Sequence, residues 1–165
     1  MFIRKKHIKG QDYAYLVQNT WTTHGPRQHV TAYLGKIYTL TQTTQTPFPH
    51  IDIEHMNYQD AVQAILIWNI ETLGFKPTGN HYFKDNLIID PAIHTVKNTK
   101  GKEAIIQRDQ GYLCSHTLTT IYKFSMQGHE EEVGFALAKA FVDAGLSVPK
   151  EVFVQIFEKI WKPTN

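Results

Sequence analysis

A chain of 165 residues with 42% hydrophobic and 12% aromatic side chains has the composition of a folded domain, which excludes an intrinsically disordered tail. A single cysteine, Cys114, excludes an internal disulfide and a four-cysteine zinc site. The longest apolar run, Ala64 to Trp68, is far below the roughly 20 residues of a spanning helix, and the basic start lacks the apolar stretch and cleavage site of a signal peptide, so a cytoplasmic protein without membrane contact is expected.

The net charge of +2 is unevenly distributed. Residues 1–36 carry six cations, Arg4, Lys5, Lys6, Lys9, Arg27 and Lys36, against one acid, Asp12, giving +5, so the remaining residues sum to −3. Such asymmetry points to a polyanion-facing end on a mildly acidic body.

In chain order, residues 2–8 mix β-branched and charged types, and Lys9-Gly10-Gln11-Asp12 interrupts them as a turn. Tyr13, Tyr15 and Val17 then alternate with Ala14, Leu16 and Gln18, which predicts a second strand extending toward Trp21. Thr23-His24-Gly25-Pro26 supplies the next turn, and a third strand runs from Arg27 to Leu34, continuing after Gly35. The expected product is a basic three-stranded antiparallel module over residues 1–40. Residues 41–50 are polar, aperiodic and end in two prolines, which marks a linker before an α+β body over 51–165.

Within that body Asn57 predicts an N-cap, with Asp60 three residues on, for a central helix closing at Gly74. Leu87 to Asp90 reads as a short buried strand, stopped by Pro91. Ile93–Val96 and Ala104–Arg108 are expected to pair as a short β-hairpin around a loop carrying Lys97, Lys100 and Lys102. Over residues 115–124 the threonines favour a strand, but Leu118, Ile121, Tyr122 and Phe124 suit a helix, and a helix is expected. Two apolar stripes, Val133 to Ala144 and Val152 to Ile160, predict a carboxy-terminal αα-hairpin opened by a glutamate run and by Pro149.

The candidate contact residues follow from this layout. Arg4, Lys5, Lys6, Lys9, Arg27 and Lys36 provide phosphate contacts among the rings of Tyr13, Tyr15 and Tyr33, and Lys97, Lys100 and Lys102 form a second basic patch. Phe2-Ile-Arg-Lys-Lys, Tyr13-Ala-Tyr-Leu-Val and Arg27-Gln-His-Val-Thr-Ala-Tyr-Leu-Gly together resemble the amino-terminal start of DDE-type insertion-sequence transposases and of small bacterial and archaeal proteins that share it. The resemblance covers about a fifth of the chain and implies a DNA-engaging front end without the RNase H-like catalytic domain.

Non-catalytic nucleic-acid binding is therefore expected, with DNA ahead of RNA and with no metal or cofactor. Two alternatives stay open. One is a protein-interaction module or homodimer joined through the carboxy-terminal helices. The other is a metal-dependent nuclease using Asp90 and Glu103, although the acid-x-lysine spacing of such sites is missing. His50, Asp52, Glu54 and His55 lie within six residues but match no familiar zinc spacing. Cys114 with His116 would make a nucleophile pair only if the thiol were exposed at a helix start.

Overall fold

The computed structural model describes residues 1–40 and 46–161. The fold is α+β, and the described residues form two sheets and four helices. Residues 41–45 of the expected linker lie outside the described residues, and residues 46–50 carry no regular secondary structure.

The amino-terminal meander forms as its pattern predicts, from β1 (Phe2–Ile8), β2 (Gln11–Thr22) and β3 (Gly25–Thr39). Lys9 and Gly10, at φ 49° and 77°, make the two-residue connection between β1 and β2. Positive φ at both positions is the primed-turn geometry that matches strand twist. β1 pairs only with residues 11–17 of β2, so beyond Val17 the β2–β3 hairpin continues as a free two-stranded ribbon to its turn at Thr23-His24. At about 3.3 Å per residue, the 12 residues of β2 span about 40 Å.

Two β-bulges interrupt the β2–β3 ladder, leaving Leu34 and Thr31 as extra residues on β3. Next to the first of them, Gly35 sits at φ 138° with the Glu103 carbonyl oxygen 2.5 Å from where a Cβ would be. Only glycine allows that approach. It brings β3 into parallel pairing with β8 (Ala104–Arg108), in the register Lys36↔Ala104 to Thr39↔Gln107. The basic strands are thus joined to the body in one five-stranded sheet, ordered β1-β2-β3-β8-β9, with β9 (Gly111–Leu113) at the far edge.

The central helix α1 (Tyr58–Thr72) is capped as expected: the Asn57 Oδ1 accepts the Asp60 N–H at 2.8 Å. It closes through Leu73 and Gly74, where the Lys84 ammonium donates to the Leu73 carbonyl at 2.5 Å. A four-stranded antiparallel meander follows, β4 (Lys76–Thr78), β5 (His81–Lys84), β6 (Leu87–Asp90) and β7 (Thr95–Asn98).

The expected hairpin between 93–96 and 104–108 does not form. β7 folds back on β6, β8 pairs with β3 and β9, and a lone bridge, Lys97↔Glu103, links the two segments. The reason lies in β8 itself. Ala104, Ile105 and Ile106 are all fully buried, with Ile105 in one apolar cluster and Ala104 and Ile106 in the other. A strand buried on both faces needs an interior position, and a hairpin edge cannot provide it.

Residues 115–122 are helical, as α2 (Ser115–Tyr122), with the cap one residue earlier than Ser115: the Thr117 hydroxyl meets both Cys114 backbone groups at 3.1 Å. Helices α3 (Glu130–Asp143) and α4 (Lys150–Ile160) complete the chain. Phe141 meets Phe153 edge-on at 6.5 Å between them, and the main core gathers α1, α2, α3 and α4 over the β8–β9 end of the sheet.

Candidate nucleic-acid interface

Directly paired residues of an antiparallel ladder project from the same face. The registers Arg4↔Tyr15↔Tyr33 and Lys6↔Tyr13↔Lys36 therefore place six of the expected contact residues on one face of the sheet. The rings confirm it: Tyr33 lies 5.3 Å from Tyr15 and 6.3 Å from Tyr13, centroid to centroid. Tyr38 extends the row along β3. The Lys6 ammonium sits 4.9 Å from the Tyr15 ring centroid and that of Lys36 5.3 Å from Tyr38. Each such contact contributes on the order of 0.5–1 kcal/mol at an exposed site and holds the cation against an aromatic plane. Arg4 donates to the Gln28 Oε1 at 2.7 Å, which ties β1 across β2 to the ribbon.

Tyr33 is 58% exposed at the centre of this row. Partial desolvation against its neighbours, with Tyr13, Tyr15 and Tyr38 nearby, pushes its phenol above the ordinary tyrosine range, and the hydroxyl stays protonated and able to donate. Farther along the ribbon the same alternation continues through Asn19 and Gln28 to Trp21, 84% exposed opposite Pro26 near the tip.

The remaining expected residues are elsewhere. Lys5, paired with Ala14, and Arg27, paired with Thr20, project from the opposite face, and Lys9 occupies the β1–β2 turn. Lys5 also meets the Asp12 carboxylate at 3.3 Å, beside the His7 Nδ1 contact at 2.7 Å. The His7 and Lys5 contacts hold the Asp12 carboxyl below its ordinary range, so part of the cationic edge is internally neutralised. Lys97, Lys100 and Lys102 surround a loop in which the Asn98 Oδ1 accepts the Lys100 and Lys102 N–H groups, both at 3.0 Å. The loop leads directly into Ala104, the partner of Lys36, so it adjoins the basic sheet at β3.

No family model, curated protein or solved structure matches this chain.

The other groups singled out in the sequence have structural work. The Asp90 carboxylate accepts the Ala92 and Ile93 N–H groups and meets His81 at 3.1 Å. Glu103 accepts the Ser115 hydroxyl at 2.6 Å, and Asp52 pairs with His55 at 2.7 Å. Among the described residues, no three histidine, cysteine or acidic side chains come together as metal ligands would. Burial pushes the Cys114 thiol up, opposite to what a nucleophile beside a helix start requires.

Sequence reasoning missed Tyr38 and Gln28 on the tyrosine face. Period two from Lys36 reaches Tyr38. Gln28 is out of phase with Tyr33 until the bulges are known. It also missed Arg108, whose half-buried guanidinium donates to Asn69 at 2.5 Å, because a lone arginine at a strand end gives no sequence signal.

Proposed function

We propose that this protein binds nucleic acid, DNA ahead of RNA, through the tyrosine face of its amino-terminal sheet and the ribbon beyond it, without chemistry of its own and in the cytoplasm. The observation that carries this reading is Lys36. Cations on an exposed edge strand such as β1 have an ordinary explanation, since they discourage edge-to-edge pairing. Lys36 lies on β3, an interior strand, and its ammonium is held against Tyr38. Edge protection does not account for it, whereas a phosphate contact beside a stacking surface does.

The ribbon supports DNA over RNA. A two-stranded ribbon fits the major groove of B-form DNA, while the A-form major groove is too narrow and deep to admit one. The resemblance to a transposase front end is in keeping with that preference, and Tyr13, Tyr15, Tyr33, Lys6, Lys36 and Arg4, which share one face, are the contact residues of this reading. Fluorescence-anisotropy titrations with labelled duplex and single-stranded oligonucleotides at several salt concentrations test the reading. Binding that falls steeply with salt is expected, and absence of binding to every oligonucleotide would reject it.

A second reading rests on α3, where Phe135 and Val142 are 74% and 55% exposed, two helical turns apart. A protein partner or a second copy would cover them. Mass measurement in solution with and without oligonucleotide separates the two readings.

A further inference from the structure

A cavity of about 720 Å³ lies at the carboxyl ends of the parallel pair β3 and β8, bounded by Lys5, Thr39, Trp68, Thr72, Gln107 and Arg108 among others. Where parallel strands end together, the chain leaves the sheet and opens a crevice, and ligands of open α/β sheets bind in such places. The volume suits a nucleotide-sized molecule.

Arg108 gives the cavity its chemistry. Its guanidinium is half-buried, and burial depresses its pKa, though an arginine stays charged under all ordinary conditions. A buried cation normally has a carboxylate partner. Among the described residues Arg108 has none within ion-pair distance, and its side-chain partners are the neutral Asn69 Oδ1 at 2.5 Å and Ser147 Oγ at 3.4 Å. Asp109 also lines the cavity, on an exposed turn at φ 50°, and its charge partly opposes the effect of burial on Arg108, but it comes within ion-pair distance of no cation among the described residues.

Asn69 is fully buried in α1 and is committed to this arrangement. Its amide donates to the Ile65 and Ser147 carbonyls, and its oxygen accepts from the Ser147 N–H and from Arg108. One guanidinium edge is thereby fixed by neutral groups, and the fork keeps donors for an anion. Gln107, Thr39, Thr72, Trp68, Leu40 and Leu73 complete a mixed polar and apolar lining, in which the Thr72 hydroxyl donates to the Asn69 carbonyl and the Trp68 indole to the Thr46 carbonyl.

We propose that this cavity is a phosphate-binding site, with Arg108 as its principal ligand and Gln107 contributing, for the phosphate of a free nucleotide or of a nucleic-acid 5′ end. The site is separate from the tyrosine face and stands independently of nucleic-acid binding there.

Isothermal titration of the full chain with inorganic phosphate, adenosine monophosphate, and 5′-phosphorylated and 5′-hydroxyl oligonucleotides tests it. Phosphate and the monophosphate are expected to bind. Gln107→Glu, which puts a carboxylate into the cavity without disturbing a buried group, is expected to weaken both by about tenfold or more at unchanged melting temperature. Arg108→Gln should do the same, and if it fails to fold, Gln107→Glu decides alone. A preference for the 5′-phosphorylated strand identifies a strand end as the source, and binding of the monophosphate without that preference identifies a free nucleotide. Wild-type protein that binds neither phosphate nor the monophosphate, or a folded Gln107→Glu that binds them equally well, would overturn the assignment. A Tyr15→Ala/Tyr33→Ala variant that loses oligonucleotide affinity but retains the monophosphate distinguishes failure of the tyrosine face from failure of this site.

Discussion

The Lys6 ammonium rests 4.9 Å from the centroid of the Tyr15 ring, reaching diagonally from β1 to β2. Its neighbour Lys5 points to the other face and meets Asp12. Two adjacent lysines on one strand thus have opposite assignments, one held beside an aromatic surface and one neutralised within the edge.

If bases stack on that surface, the rings should dominate affinity for single strands. Tyr33→Ala and Tyr15→Ala are each expected to cost about 1–3 kcal/mol in binding a single-stranded oligonucleotide. Tyr33→Phe keeps the ring and should retain most of the affinity. Anisotropy titration at one fixed salt concentration measures all three.

The α1 cap gives a stability prediction independent of function. Asn57 accepts the Asp60 N–H and also donates to the Asp60 carboxylate at 2.7 Å. Asn57→Ala should lower stability by about 1 kcal/mol, read from urea unfolding, with no change in oligonucleotide affinity.

His94 stacks on Tyr122 with centroids 3.6 Å apart, at a backbone φ of 58°. Burial, with Lys123 adding to it and Asp90 opposing, depresses its pKa below the unfolded value of about 6.5. Above about pH 6.5 the ring is neutral in both states and costs nothing. As pH falls from there toward the folded value, the unfolded chain takes up the proton first, and this contribution to stability is lost. His94→Asn, which tolerates the same backbone, should be less sensitive to pH than the wild type over that window in urea unfolding.

Cys114 is 2% exposed, and its raised pKa keeps it as the thiol. A thiol reagent should label it at neutral pH only as fast as the protein opens, and at once in denaturant. Rapid labelling of the native protein would contradict its place in the core.

Much of the fold was legible where one local rule dominated. The alternation of Tyr13, Tyr15 and Val17, the Asn57 cap, and the apolar stripes of α3 and α4 each encode their element within a few residues. Long-range pairing was not. Nothing around Ala104–Arg108 announces a partner some 70 residues earlier, and the short apolar run Ala104, Ile105 and Ile106 reads in the sequence equally as half of a hairpin. Lys76-Pro77-Thr78 gives no strand signal because of its proline, yet forms β4 at the edge of its sheet, where a missing N–H is tolerated.

The candidate site was legible in composition and only partly in geometry. Charge counting found the basic end, and pairing then divided it. The side on which a lysine emerges depends on register, so Lys5 and Arg27 separate from Lys6 and Lys36. Arg108 was invisible because its character comes from Asn69 and Ser147, distant in sequence and joined only by folding.

The most direct test of the tyrosine face compares two double variants by the salt dependence of duplex DNA binding. Each phosphate contact contributes about 0.9 to the slope of log K against log salt. Lys6→Gln/Lys36→Gln should lower the slope by about 1.8 and weaken binding throughout. Lys5→Gln/Arg27→Gln, on the opposite face, should change it by less than half as much. Equal losses from the two pairs, or a wild-type protein that binds no DNA at low salt, would contradict the assignment.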